Sequence, residues 1–149
     1  TMATLTITLT EAVTLGDGST DRGTTNTHTE TVNEVSHRIM DIPATYTDVI
    51  KFGASASAGT FKDNSVQYLR ITNLDGSADV TLRVKMTDSE YFVKLETEDH
   101  FLLGNNMMDA HEDGDTSLGT AETLANIDVI SAKSSSGTIQ IELFVACQD

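Results

Sequence analysis

Residues 66–95 read VQYLRITNLDGSADVTLRVKMTDSEYFVKL, and their alternation decides the fold. Val80, Leu82, Val84 and Met86 share one parity, while Thr81, Arg83, Lys85 and Thr87 hold the other. A two-residue period is what a strand with one buried and one wet face produces. Leu69 and Ile71 alternate in the same way with Tyr68, Arg70 and Thr72, and Tyr91, Val93 and Leu95 follow. Between the first two runs stands Asp75-Gly76, whose tolerance of positive φ suits a hairpin. Thr87-Asp88-Ser89 supplies a second turn. The stretch therefore predicts three consecutive strands in an antiparallel meander, the smallest sheet unit with independent stability.

The same pattern extends outward in both directions. In residues 3–15, Leu5, Ile7, Leu9, Val13 and Leu15 share a parity, with Thr4, Thr6, Thr8, Thr10 and Thr14 on the other. This is one long strand, or two joined near Glu11. A flat threonine array binds ice or a partner in some proteins, but threonine on a wet strand face is ordinarily a good strand former. With no further Thr-x-Thr ladder evident along the chain, the strand-former reading is preferred. Residues 16–23 (GDGSTDRG) form a loop by composition; Asp17 and Asp21 lack the spacing of a Ca²⁺ loop. Residues 24–42 are a second extended segment whose parity slips between Val32 and Val35, marking a break near Asn33-Glu34. Its first half, residues 24–35, is too polar to bury and reads as an extended arm.

Residues 46–52 form a short strand after Pro43, and residues 53–64 (GASASAGTFKDN) a small-residue loop. His100 to Leu103 adds a strand. Residues 104–120 are the longest stretch without a strand pattern, a length that in compact domains marks function or disorder. Strands follow near residues 127–130 and over Thr138–Cys147, separated by a Ser134–Gly137 turn. No window keeps a helical period, and β-branched residues at alternating positions favour the pleated sheet. The expectation is an all-β chain: a single antiparallel β-sandwich domain of about nine strands, with a jelly-roll winding among the topologies it admits.

Composition limits the function. The chain has 149 residues, enough to bury roughly two-thirds of its unfolded surface, and a formal net charge of −14. Its nine Lys and Arg are scattered singly along the sequence, so neither nucleic acid nor an anionic membrane is an expected partner. No apolar run is long enough to span a bilayer, and the first residues show no signal-peptide pattern. Cys147 is alone, which excludes an intrachain disulfide. It continues the parity of Ile139, Ile141, Leu143 and Val145, the pattern of a buried thiol.

Between Glu96 and Asp115 stand seven carboxylates with His100 and His111 and no Lys or Arg. Oxygen-rich clusters bind hard cations, so Asp113 and Asp115 are the candidate metal ligands. The absence of any known ligand spacing favours a solvated acidic loop instead. His28 and His37 read as ordinary exposed imidazoles. There is no G-x-S-x-G, no phosphate loop and no H-E-x-x-H. With no Trp and three Tyr, a sugar platform for paired glycosidase carboxylates is poorly supplied. A non-enzymatic protein without a cofactor is expected.

N-E-V-S-H-R-I at Asn33 to Ile39, Y-L-R-I-T-N-L-D at Tyr68 to Asp75 and F-V-K-L-E-T at Phe92 to Thr97 resemble stretches of small β-rich structural proteins of tailed bacteriophages, notably marine ones. The Thr-rich first strand and the last strand, Ile139 to Ala146, are similar to theirs as well. The resemblance implies a non-enzymatic virion component in many copies, made in the host cytoplasm. Of the places on a particle, the outer capsid surface suits a −14 chain, since packaged DNA inside has the same sign. The implied role is capsid decoration (cement). The implied partners are the major capsid protein and further copies of the chain, as a homotrimer. Contact with capsid is expected from residues 24–35, 53–64 or 104–120. The candidate residues there are Thr24, Thr25, Asn26, Thr27, His28, Thr29, Glu30, Phe61, Met107 and Met108. The alternatives are a tail or connector component, and a Ca²⁺-dependent carbohydrate-binding or adhesin-like sandwich.

Overall fold

A computed structural model describes residues 1–17, 22–87, 89–105, 107–108 and 124–148. Twelve strands are present among them: β1 (Ala3–Val13), β2 (Arg22–Val32), β3 (Glu34–Ile42), β4 (Thr47–Gly53), β5 (Thr60–Lys62), β6 (Val66–Asn73), β7 (Val80–Met86), β8 (Glu90–Leu95), β9 (His100–Leu103), β10 (Met107–Met108), β11 (Ala125–Ser134) and β12 (Ile139–Cys147). The chain is all-β and forms an antiparallel β-sandwich. The excess over nine comes from the short β5 and β10 and from the break at Asn33, which separates β2 from β3 as the parity slip of Val32 and Val35 predicts.

One sheet has the order β3-β12-β6-β9 and the other β5-β4-β11-β7-β8, with β10 on β11. Leaving aside the first two strands, β5 and β10, the pairings are nested: β3 with β12, β4 with β11, β6 with β9, β7 with β8, all antiparallel. A long ribbon whose ends pair first and whose middle pairs last, wrapped round a core, is a jelly roll. Among the described residues only β5 runs parallel to its neighbour, with Phe61 beside Phe52.

The core is the set of inward rows that alternation predicts. Val80, Leu82 and Val84 in one sheet and Leu69, Ile71, Ile141, Leu143 and Val145 in the other are all fully buried and belong to one cluster. Each such side chain contributes about 1.5–3 kcal/mol on leaving water. Cys147 is among them, a buried thiol. At the open side between β3 and β4, Arg38 turns inward and donates from Nη2 to the Val49 carbonyl at 2.6 Å, tying the sheets together.

The meander expected over residues 66–95 does not form. β7 and β8 are a hairpin, closed by the Met86 amide on the Ser89 carbonyl at 2.8 Å, but β6 lies in the opposite sheet between β12 and β9. Alternation reports which face is buried and is silent on which strand lies alongside. Residues 74–79 cross between the sheets: Leu74 still donates to Gln140 at 3.0 Å, whereas Asp79 already exchanges bonds with Ser135. Asp75 makes this corner with its carboxylate, which accepts from the amides of Ser77 (2.8 Å) and Ala78 (2.7 Å). Gly76 has no positive φ; among the described residues the glycines that do are Gly59 and Gly137.

Candidate functional site

β1 and β2 stand outside both sheets as a two-stranded ribbon, paired from Ala3 with Val32 to Val13 with Arg22. β1 runs without the break entertained at Glu11. Its register decides what each face carries. Thr4, Thr6, Thr8 and Thr10 lie opposite Thr31, Thr29, Thr27 and Thr25, so eight exposed threonines form two matched columns. Hydroxyls meet across the ribbon at 3.4 Å (Thr8–Thr27) and 3.3 Å (Thr10–Thr25). A second Thr-x-Thr run, Thr25, Thr27, Thr29 and Thr31, therefore does follow the first, contrary to expectation, and the hairpin register sets the two side by side. Ala12 and Gly23 continue the face, so it has no charged residue in a chain of net charge −14.

The ribbon's other face sets an apolar row of β1 (Leu5, Ile7, Leu9) beside Glu30, His28 and Asn26 of β2, and it leans over the outer surface of the β3-β12-β6-β9 sheet. A cleft of about 220 Å³ lies between Leu5, Ile7 and Leu9 above and Tyr68, Arg70 and Phe144 below. It continues into a space of about 270 Å³ lined by Ile7, Leu9, His28, Glu30, Tyr68 and Leu102, among others. Coverage is incomplete: Leu5 and Ile7 are half-buried, while Leu9 and Val13 are 49% and 50% exposed. A two-stranded ribbon is marginally stable by itself, so this contact is what holds it, and part of its apolar row is left for something else.

The expected contact residues of β2 fall on both faces. Thr25, Thr27 and Thr29 belong to the threonine columns; Thr24, Asn26, His28 and Glu30 belong to the face that carries the cleft, where His28 reaches Glu30 at 2.5 Å. Phe61 does not join them. Residues 60–62 form β5 rather than open loop, and Phe61 is 6% exposed within the core. Small residues around it hid a strand that needs only three positions beside β4. The metal candidates Asp113 and Asp115, with His111, lie outside the described residues, and of β10 the side chains of Met107 and Met108 do too.

Below the ribbon, a row of polar groups crosses the sheet that no local motif announces. His37 Nε2 meets Glu142 Oε1 at 2.6 Å; Arg70 Nη1 donates to Glu142 Oε2 at 2.7 Å and to the Thr72 hydroxyl; Thr72 reaches His100 Nδ1 at 2.9 Å. Four strands each contribute, because His37, Phe144 and Arg70, and likewise Glu142, Thr72 and His100, sit in register. The Arg70 bond, then that of His37, holds the Glu142 carboxyl below its ordinary pKa. His37 is exposed, as its polar surroundings in sequence suggest, and its imidazole is paired with Glu142. The arrangement places the Arg70 guanidinium, paired with Glu142, at the floor of the cleft beneath Leu5, Ile7 and Leu9. No protein family, no curated protein and no solved structure matches this chain.

Proposed function

We propose that this chain is a non-enzymatic virion structural protein, a capsid decoration protein that binds the outer surface of an assembled head and stabilises it. The observation that carries the reading is the β1–β2 ribbon. It presents a charge-free threonine face outward and an incompletely covered apolar row inward, held on a rigid jelly-roll body. That is the anatomy of a docking arm. A charge-free face lets a strongly acidic molecule dock without the repulsion that its net charge otherwise brings.

The resemblance of Asn33 to Ile39, Tyr68 to Asp75 and Phe92 to Thr97 to phage structural proteins supplies the virion context, and jelly rolls are frequent in viral shells by analogy of fold alone. A protein that binds only the assembled shell shifts the assembly equilibrium by mass action. The major capsid protein is the proposed partner, with the chain as a homotrimer at the threefold joints of the shell. Quantitative mass spectrometry of purified particles tests this: the chain is expected in a fixed ratio to capsid protein, lost when intact heads are stripped under mild conditions. Its absence from particles, or presence only in tails, refutes the reading.

A further inference from the structure

The outer surface of the β4-β11-β7-β8 sheet collects what the sequence scatters. Lys51, Val129, Lys85 and Glu90 lie in one cross-strand row; Asp48, Ser131, Arg83 and Phe92 in the next; Lys133, Thr81 and Lys94 in a third. Five of the nine Lys and Arg of the chain thus share one face. Single spacing along the chain gave no sign of this, because the sheet brings four strands side by side.

Three of these cations have an internal carboxylate at hand. Lys51 pairs with Asp48 at 3.1 Å, Lys94 with Asp79 at 3.0 Å and Glu96 at 3.1 Å, and Lys85 stands opposite Glu90 in register. Arg83 and Lys133 differ. Among the described residues neither has a carboxylate within 4.0 Å; both lie over the ring of Tyr46, at 4.6 and 5.1 Å from its centroid. Arg83 Nε is buried without an acceptor, and its Nη2 reaches only the Ser131 hydroxyl, at 3.4 Å. Phe92, 55% exposed, stands 6.4 Å from Tyr46. The Ser131 hydroxyl in turn donates to Asp48 at 2.9 Å, so Arg83 meets that carboxylate only through a hydroxyl, and Lys133 pairs with none among the described residues.

We infer that this face is a docking surface for a second copy of the chain, offering Tyr46, Phe92 and Arg83 to an acidic surface of its neighbour. Tyr, Phe and Arg are the side chains enriched at the centres of protein interfaces. The charge complement is the chain itself, whose remaining surface holds the carboxylate excess. A head-to-tail contact sets this cationic face of one copy against an acidic face of the next, and such contacts form a ring when the rotation between copies closes. A closed ring leaves the β1–β2 ribbon, over the opposite sheet, free to engage a particle. The inference adds the self-contact to the proposed role without depending on a capsid.

The test is sedimentation of the purified chain alone, with no heads present. Oligomers are expected at about 0.1 mM protein and about 0.05 M salt, weakening toward about 0.5 M salt as the charge pairs are screened. Phe92→Ser with Lys133→Glu, both outward-facing, is expected to weaken assembly about tenfold or more with the circular dichroism unchanged. Acetylation of the unaltered protein is an independent readout, with Lys133 expected to react more slowly in the oligomer than in the dissociated chain. A chain that stays monomeric overturns the inference, as does an oligomer in which Lys133 reacts as fast as in the monomer. Retention of polyglutamate by a monomeric chain assigns the face to a foreign acidic partner and overturns it equally. Head binding is measured separately, so either reading can fail while the other stands.

Discussion

The side-chain amide of Asn73 donates to the main-chain carbonyl of Glu96 at 2.9 Å, joining the end of β6 in one sheet to the end of β8 in the other. The same Nδ2 reaches the carbonyls of Ala78 (2.9 Å) and Leu95 (3.4 Å), and Oδ1 accepts from the Asp75 amide at 3.0 Å. Asn73 is completely buried. It does for the crossing between sheets what a turn does for a hairpin. Asn73→Leu keeps the size but leaves buried carbonyls and an amide unpaired, at about 1–3 kcal/mol for each group that water cannot reach. Urea unfolding is expected to show a loss of about 2–4 kcal/mol with unchanged cooperativity. A loss below about 0.5 kcal/mol contradicts the assigned role.

Two glycines separate sequence expectation from structure. Gly137, between β11 and β12, has φ +63 with open space around its Cα; Gly76 has open space and no positive φ. Gly137→Ala is expected to cost about 1–2 kcal/mol from backbone conformation alone. Gly76→Ala is expected to be neutral or slightly stabilising, through the unfolded chain. Thermal denaturation of the two variants side by side checks this, and equal losses would be the wrong result.

Acid is expected to act through the polar row on the outer sheet. Hydrogen bonding by Arg70, then by His37, depresses the Glu142 carboxyl from its ordinary 4.5. A carboxylate depressed in the folded state stabilises fully above its unfolded pKa, and that contribution disappears as pH falls through the folded value. Stability of the unaltered chain should therefore decline below about pH 4.5. Glu142→Gln should be less stable near neutrality and show a shallower decline in acid. Urea midpoints at about pH 7 and about pH 3 decide it; parallel curves for the two proteins contradict the pairing.

The ribbon is expected to open separately from the sandwich. Ile7 is half-buried in the upper wall of the cleft that Tyr68 lines from below. Ile7→Ser removes the apolar anchor, and amide exchange in β1 and β2 should accelerate while β7 and β12 keep their protection. Exchange that rises uniformly across the chain contradicts a separately held ribbon.

Some of this was legible in the sequence for a physical reason. Val80 to Met86 and Ile139 to Cys147 alternate because one face of each meets the core and the other meets water or a second layer. The Val32–Val35 slip was readable because a break inverts parity, and Val32 is buried while Val35 is 52% exposed. Pairing was not readable. Nothing local to Thr25 states that Thr10 lies opposite it, and nothing in Arg70 names Glu142, since both relations are set by the register between paired strands. Asp75-Gly76 misled because its useful atom is the Asp carboxylate, not the glycine backbone. The gathered cations of the β4-β11-β7-β8 face escaped notice for the same reason as the threonine ladder.

Whether this body exists to hold on to a shell is decided most directly by mixing the purified chain with empty assembled heads and, separately, with free capsid subunits, then sedimenting both. Saturable occupancy of the heads, little attachment to subunits, and reduced occupancy when Thr8 and Thr27 of the ribbon are replaced by lysine are expected. Heads that stay bare at saturating protein, or that bind the ribbon variant as well as the unaltered chain, contradict a docking arm on a decoration protein.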